Sequence, residues 1–171
     1  GLELEPFLDL SLLGGIVVKG LSPRPRPGNP PARICETPAG MLNAIGLQNI
    51  GVESFVNDRL PALRRHSTAI IANLFGETYE DYDRVADALA GSPGLAAVEL
   101  NLSCPNTAEG GMIFGVDPRA VERITRSVRK RVTVPVWVKL TPNVTDIREI
   151  ARAAVAGGAD ALSLVNTFVG M

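Results

Sequence analysis

Short apolar runs rich in β-branched residues recur along the chain, and runs of this length are typical of strands that are buried on both faces. They predict five strands, at residues 16–18, 69–71, 97–98, 134–138 and 161–165. Between most of these strands, apolar residues recur at the spacing of a helix that buries one face. The predicted helices contain Tyr82, Val85 and Leu89, then Val121, Ile124 and Val128, and then Ile147, Ile150 and Ala154.

Helix start signals precede all three predicted helices. Thr78, with Asp81 three residues later, predicts a capping box. Asp117 before Pro118 predicts an N-cap followed by a proline in the first helical turn. Thr145 is the predicted N-cap of the third helix.

Alternating strands and helices predict a parallel sheet, which occurs in doubly wound folds and in (β/α)8 TIM barrels. A doubly wound sheet usually places a glycine-rich phosphate turn after its first strand, and residues 18–23 are not such a turn. The barrel is therefore the better interpretation. Because a barrel of this type has eight strands and about 250 residues, residues 1–171 are expected to be a partial barrel domain. One strand is expected to be missing before Gly1 and two after Met171.

Two segments are expected to lie outside the regular barrel. Residues 22–50 are dense in proline and glycine, which fits a rigid surface loop as well as a loop that folds over a ligand. Residues 43–49 at its far end favour the ligand loop, since two glycine-permitted turns there would expose main-chain amides. Residues 105–117 contain three glycines and are predicted to be an active-site lid.

Composition excludes several classes of protein. The chain has 17 Lys+Arg against 18 Asp+Glu, so its net charge of −1 argues against a nucleic-acid partner or an anionic membrane surface. No apolar run approaches the roughly 18–20 residues that span a bilayer. Two cysteines and no signal-peptide pattern predict a cytoplasmic location.

The predicted strands end in polar residues with a common chemistry. In barrel enzymes the reactive groups lie at the carboxyl ends of the strands. Those ends carry Lys19, Asn73, Asn101 with Cys104, Lys139, and Asn166 with Thr167. A single buried asparagine or strand-end lysine usually has a structural role, but here all five ends carry one.

The strand ends also exclude some chemistry. No Asp or Glu ends a predicted strand, which argues against a pair of hydrolytic carboxylates and against a metal site. His66 is the only histidine and is expected to have a surface or capping role. Carboxamides and ammonium groups suit a planar, partly anionic ligand with N–H and C=O edges. Cys104 is expected in the loop over the barrel mouth, whereas Cys35 has no polar neighbours in sequence and is interpreted as structural.

Five segments of the chain closely resemble the dihydroorotate dehydrogenases. They are VVKG at 17–20, RPGNPPARICETPAGMLNAIGLQNIGV at 26–52, ELNLSCPNTAEGG at 99–111, VKLTPNVTDI at 138–147 and GGADALSLVNT at 157–167. The resemblance extends from about Gly14 to the C-terminus. It implies a flavin-binding TIM barrel that uses FMN to oxidise dihydroorotate to orotate in pyrimidine synthesis.

The resemblance also implies roles for individual residues. The residues expected to bind FMN are Lys19, Gly20, Asn73, Asn101, Lys139 and Val165. The residues expected to bind the substrate are Lys19, Asn43, Ala44, Ile45, Gly46, Leu47, Asn101, Asn106, Asn166 and Thr167. Cys104 is expected to be the catalytic base that removes the C5 proton while a hydride passes from C6 to flavin N5, because no histidine or carboxylate ends a strand.

Two features of the chain favour one subtype of the family. Quinone-linked members have serine where this chain has Cys104, and they carry a membrane-associated extension. The 29–49 segment is more similar to NAD-linked enzymes than to the fumarate-using homodimers. That similarity implies a homodimer of catalytic subunits with an electron-transfer subunit that carries FAD and a 2Fe-2S cluster. The family's N-terminal flavin turn and its C-terminal phosphate-binding glycines have no counterpart in this sequence.

Three other functions remain open at this point. The pyrimidine-reducing domain of dihydropyrimidine dehydrogenase shares similar segments, although Asn106 fits the orotate enzymes better. A lyase that forms a Schiff base on Lys139 is a candidate from another class, since strand-end lysines do this in other barrels. The third alternative is a non-catalytic chain that only binds a partner subunit.

Overall fold

A computed structural model describes residues 1–102 and 114–168 of the chain. Five parallel strands form its main sheet, in the order β1, β4, β5, β6, β7. They are β1 (Gly15–Val17), β4 (Ala69–Leu74), β5 (Leu95–Asn101), β6 (Val136–Lys139) and β7 (Ala161–Ser163). A separate antiparallel hairpin consists of β2 (Ile34–Thr37) and β3 (Gly40–Asn43).

The strand order distinguishes the two architectures that the sequence leaves in competition. Each parallel strand pairs with the next one along the chain, without the reversal of order that defines a doubly wound sheet. The five strands with their helices are consistent with part of a (β/α)8 barrel, which confirms the predicted fold class.

The helical segments connect the strands. Between β1 and β4 lie α1 (Gly51–Ser54), a π-helical turn at Phe55–Arg59 and α2 (Leu60–Leu63). The later helices are α3 (Tyr79–Leu89), α4 (Pro118–Arg129) and α5 (Ile147–Ala156). Short 3-10 turns occur at Leu2–Leu4, Leu10–Leu12 and Phe114–Val116. In the described part of the chain, no helix is long and apolar enough to cross a membrane.

The core lies between the sheet and these helices. Alternate strand residues such as Ile70, Val98 and Val138 pack with the buried faces of α3, α4 and α5. We call this the outer face of the sheet, and we call the opposite side the inner face. Since side chains alternate along a strand, the intervening residues project from the inner face.

The capping predictions hold for two helices and fail for the third. Thr78 and Asp81 form the predicted capping box of α3, and the Asp117 carboxylate caps α4. The predicted Thr145 cap is wrong, because Asp146 caps α5 and accepts from the backbone N–H of Arg148 at 2.9 Å. The Arg148 guanidinium also donates to this carboxylate and, with that N–H, holds the pKa of Asp146 below its usual value.

The expectation that all strands are buried on both faces is wrong at the edge strand β1. Val17 projects from the inner face and is 47% exposed. The central strands differ, since Ile71 and Ala97 on the same face are buried. Burial of the inner face therefore increases from the edge strand to the middle of the sheet.

The β2–β3 hairpin is a structure that the sequence did not predict. Proline and glycine dominate residues 22–50, but the turn at residues 38–39 returns the chain in antiparallel register, with Ile34 opposite Asn43. Both strands are exposed throughout. Cys35 lies on this hairpin and is exposed, so its interpretation as a structural cysteine is wrong.

Candidate ligand-binding site

Asn73, Asn101 and Lys139 lie on the inner face, at the carboxyl edge of three neighbouring strands. Asn101 is in register with Lys139, and Asn73 is in register with Glu99 on β5. Asn73 is buried, whereas Asn101 and Lys139 are half-buried. The parallel sheet therefore brings together two carboxamides and one ammonium that are far apart in sequence.

Lys19 and Gly20 follow β1, next to Asn73. The backbone N–H of Leu21 donates to the Asn73 carbonyl at 2.8 Å, which fixes this segment against β4. A Cβ on Gly20 would lie 2.9 Å from the Asn73 Oδ1 atom, so a side chain at this position would displace the carboxamide. The close approach of the Asn73 carboxamide is the physical reason for a glycine at position 20.

Asn166 joins the same edge from the segment after β7. Its Nδ2 atom donates to the Asn101 Oδ1 atom at 3.3 Å, and its backbone N–H donates to the Leu140 carbonyl at 2.9 Å. Thr167 follows and is exposed, while Val165 is half-buried. The Tyr82 hydroxyl of α3 donates to the Asn101 carbonyl at 2.7 Å and supports the end of β5 from the outer side.

The two strand-end lysines add positive charge to this edge. Neither Lys19 nor Lys139 forms an ion pair with a carboxylate of residues 1–102 or 114–168. Two ammonium groups without an acidic partner in that part of the chain favour an anionic ligand. With the carboxamides, they provide the chemistry that the sequence predicts for a planar, partly anionic molecule.

The 43–47 loop follows β3, and Asn29 donates hydrogen bonds to two of its main-chain carbonyls. The Ala44 carbonyl accepts from the Asn29 side chain at 2.8 Å, and the Ile45 carbonyl accepts from the Asn29 backbone at 3.0 Å. The amides of Ile45, Gly46 and Leu47 donate to no described residue. The loop therefore offers consecutive N–H donors, as expected of a segment that binds a carboxylate or carbonyl group.

A buried polar cluster at the root of this loop was not found by sequence reasoning. Asn49 accepts from the Ser22 hydroxyl at 3.0 Å and from the Gly51 N–H at 2.9 Å, and it donates to the Leu47 carbonyl at 2.9 Å. Leu47 has a φ of +56°, an uncommon backbone conformation for a residue with a side chain. A cavity of about 930 Å³ is lined by both Asn49 and Lys19. The loop root and the segment after β1 therefore face the same cavity.

Sequence reasoning also missed Glu99. This residue lies two positions before Asn101 on the same face of β5, is 5% exposed and contacts Asn73. Strand parity between positions 99 and 101 was the available signal. It was missed because only the last residues of each strand were considered.

Several predicted site residues fall where the structure gives no description. Cys104 and Asn106 lie outside the described residues, as does most of the predicted lid at 105–117. The described end of that segment is a 3-10 turn at Phe114–Val116, and Phe114 packs against the rings of Tyr79 and Tyr82.

The described residues contain no group of three or more His, Cys, Asp or Glu side chains that could hold a metal ion. His66, predicted to have a surface or capping role, is paired with Glu5 at 2.8 Å.

Comparison with known proteins decides the family. The dihydroorotate dehydrogenase family profile matches residues 1–171, the whole chain. The chain belongs to the dihydroorotate dehydrogenase family. Its curated relatives include proteins named dihydroorotate dehydrogenase B (NAD(+)), catalytic subunit. They come from Solidesulfovibrio magneticus, Maridesulfovibrio salexigens and Citrifermentans bemidjiense, at 57%, 54% and 51% identity over 100% of this chain.

The same comparisons show how much of a dihydroorotate dehydrogenase subunit this sequence spans. The chain covers 56% of the length of each of these relatives. The resemblance found in the sequence motifs is confirmed, and with it the similarity to NAD-linked members of the family.

Proposed function

We propose that residues 1–171 are the larger part of a catalytic subunit that oxidises dihydroorotate to orotate with FMN. The observation that carries the proposal is the inner-face edge, where Asn73, Asn101, Lys139 and Asn166 converge in a chain of this family. Carboxamides provide donors and acceptors, and an ammonium provides charge, for two flat heterocycles with N–H and C=O edges.

The residues of the edge fit a flavin. Asn73 Oδ1 is an acceptor beside a glycine that leaves room for close approach, and Lys139 is a cation without an acidic partner in the described part of the chain. In the proposal, FMN is held by Lys19, Gly20, Asn73, Asn101, Lys139 and Val165. When bound, FMN would supply the acceptor for the hydride from C6 of dihydroorotate. The Lys139 ammonium stabilises negative charge at this edge.

The substrate is assigned to the open side of the same edge. In the proposal, the Asn43 side chain and the main-chain amides of the 44–47 loop bind its polar groups. Lys19 binds its carboxylate, and Asn101, Asn106, Asn166 and Thr167 complete the site. The three loop amides that donate to no described residue support this assignment.

Cys104 is the proposed catalytic base. Oxidation of dihydroorotate removes a proton from C5, and neither histidine nor an unpaired carboxylate occurs at the described strand ends. A free thiol titrates near pH 8.5, which suits a base close to neutral pH. Residues 105–117 are the proposed lid over this centre.

The proposed electron acceptor lies on another protein. The relatives are named as NAD-linked catalytic subunits, and a subunit with FAD and a 2Fe-2S cluster would carry electrons from FMN to NAD. The catalytic subunits are proposed to form a homodimer. Two cysteines in 171 residues cannot make a disulfide framework, and on this ground we place the assembly in the cytoplasm.

The test uses the full-length catalytic subunit, purified with and without its partner subunit. Anaerobic dihydroorotate is expected to bleach the bound flavin, and the subunit alone is expected to use artificial acceptors but not NAD. Rapid NAD reduction by the subunit alone would contradict the partner proposal, and rapid fumarate reduction would point to the homodimeric subtype. Absence of bleaching, with borohydride trapping of a substrate on Lys139, would replace the proposed reaction with Schiff-base chemistry.

A further inference from the structure

Glu99 is the one buried charged residue among the described residues. It lies on the inner face of β5 and is 5% exposed. A buried carboxylate is costly unless hydrogen bonds compensate for its lost hydration. Its position and its partners therefore need an explanation beyond packing.

Two hydrogen bonds from neighbouring strands satisfy this carboxylate. The Asn73 Nδ2 atom of β4 donates to Oε1 at 2.7 Å. The Ser163 hydroxyl of β7 donates to Oε2 at 2.7 Å. Glu99 thus connects β4 with β7 across the inner face, below the edge where the candidate ligand site lies.

The contact with Asn73 has a chemical consequence. A carboxamide can rotate by 180°, which exchanges its acceptor oxygen with its donor nitrogen. An ionised carboxylate only accepts hydrogen bonds, so it admits the orientation in which the Asn73 nitrogen faces Glu99. The Asn73 oxygen then faces Gly20, where a Cβ would lie 2.9 Å away.

We infer that Glu99 is a positioning residue for the flavin site. It holds the Asn73 carboxamide with its oxygen toward the end of β1, where that oxygen accepts from an N–H group of the flat ligand. Glu99 itself touches neither ligand. The inference rests on the proposed function, because it takes FMN as the ligand of Asn73.

A double-mutant cycle in the full-length catalytic subunit tests the inference, with the dissociation constant of FMN as the readout. Glu99→Leu removes the acceptor and is expected to weaken FMN binding about tenfold, the effect of losing one hydrogen bond. In the Asn73→Ala background the same substitution is expected to have no further effect, because Glu99 acts through Asn73. Losses that multiply in the double variant would overturn the inference.

Two further variants separate positioning from the burial of charge. Glu99→Gln keeps an oxygen that accepts from Asn73, so FMN affinity is expected to stay within threefold of the wild type. Ser163→Ala is the matched control, since it removes the other hydrogen bond to the same carboxylate and leaves Asn73 in contact. A tenfold loss in either variant would overturn the inference.

The remaining outcomes are also decisive. If Glu99→Leu does not fold, Glu99→Met takes its place in the cycle as a flexible apolar side chain of similar length. Failure of both to fold would assign Glu99 to folding and overturn the inference. A wild-type subunit that does not bind FMN would overturn the proposed function as well. If the wild type binds FMN but the affinity losses of the two single variants multiply in the double variant, only the role of Glu99 is overturned.

Discussion

The candidate site depends on a few close approaches between single residues. Gly20 has no side chain at a point where a Cβ would meet the Asn73 oxygen at 2.9 Å, and the Asn101 and Asn166 carboxamides are joined at 3.3 Å. A change of one methyl group at such a point moves a polar atom by tenths of an ångström. The predictions for single residues follow from these contacts.

Gly20→Ala is expected to weaken FMN binding by the full-length subunit about tenfold, because the new methyl group displaces the Asn73 oxygen. The measurement is fluorescence titration of the apoprotein with FMN. Gly14→Ala is the control, since a Cβ there meets no atom within 4 Å. Equal affinities for the two variants would contradict a flavin contact at Gly20.

Cys104→Ala is expected to slow flavin reduction by dihydroorotate by about 10²–10⁴, the usual contribution of a general base, while orotate binding changes little. Rapid-mixing measurement of flavin bleaching gives the rate. Cys35→Ala is the control, because Cys35 is an exposed cysteine on the hairpin. A Cys104 variant that bleaches within about threefold of the wild type from pH 6 to 9 would show that another group is the base.

At the scale of elements, sequence periodicity was enough to predict the five parallel strands and the three long helices. Capping chemistry located two helix starts and failed at α5, because Asp146 directly follows Thr145 and aspartate is the stronger N-cap residue. The β2–β3 hairpin was missed, since its exposed strands show no alternation between buried and exposed residues. The Asn49 cluster and Glu99 depend on contacts between distant segments, which no local pattern reports.

The hydrogen bond between Tyr82 of α3 and the end of β5 gives one prediction at this scale. Tyr82→Phe removes the hydroxyl that donates to the Asn101 carbonyl at 2.7 Å and is expected to lower the free energy of unfolding by about 1 kcal/mol. Urea denaturation measures the change. Tyr79→Phe is the control, because the Tyr79 hydroxyl bonds to no described residue. Equal midpoints for the two variants would contradict the role of this bond.

The second prediction at this scale concerns the root of the 43–47 loop. Asn49→Ala leaves the backbone N–H groups of Ser22 and Gly51 without their shared acceptor and is expected to cost about 2–4 kcal/mol of unfolding free energy. Hydrogen exchange is expected to become faster at the Ala44 amide, which donates to the Arg33 carbonyl, and at the Gly51 amide, which loses its acceptor. Gln48→Ala is the control, since it removes only an exposed hydrogen bond with Arg33 and leaves the buried Asn49 contacts in place. Unchanged exchange in the Asn49 variant would show that the loop is held elsewhere.

At the scale of the whole molecule, the parallel sheet collects residues from five separate segments at one edge. The sequence predicted which residues lie at the strand ends, because each predicted strand was close to its observed position. The distances between them, and the buried carboxylate below them, came only from the register of neighbouring strands. The central claim is that this edge holds flavin and substrate together.

A crystal structure of the full-length, FMN-loaded catalytic subunit with orotate tests that claim most directly. The account predicts flavin within hydrogen-bond distance of Asn73 and Lys139, and orotate within hydrogen-bond distance of Asn101, Asn166 and the 44–47 amides. The Asn73 nitrogen should still donate to Glu99. Orotate or flavin bound away from the inner-face edge, with Lys139 and the asparagines free of both, would contradict it.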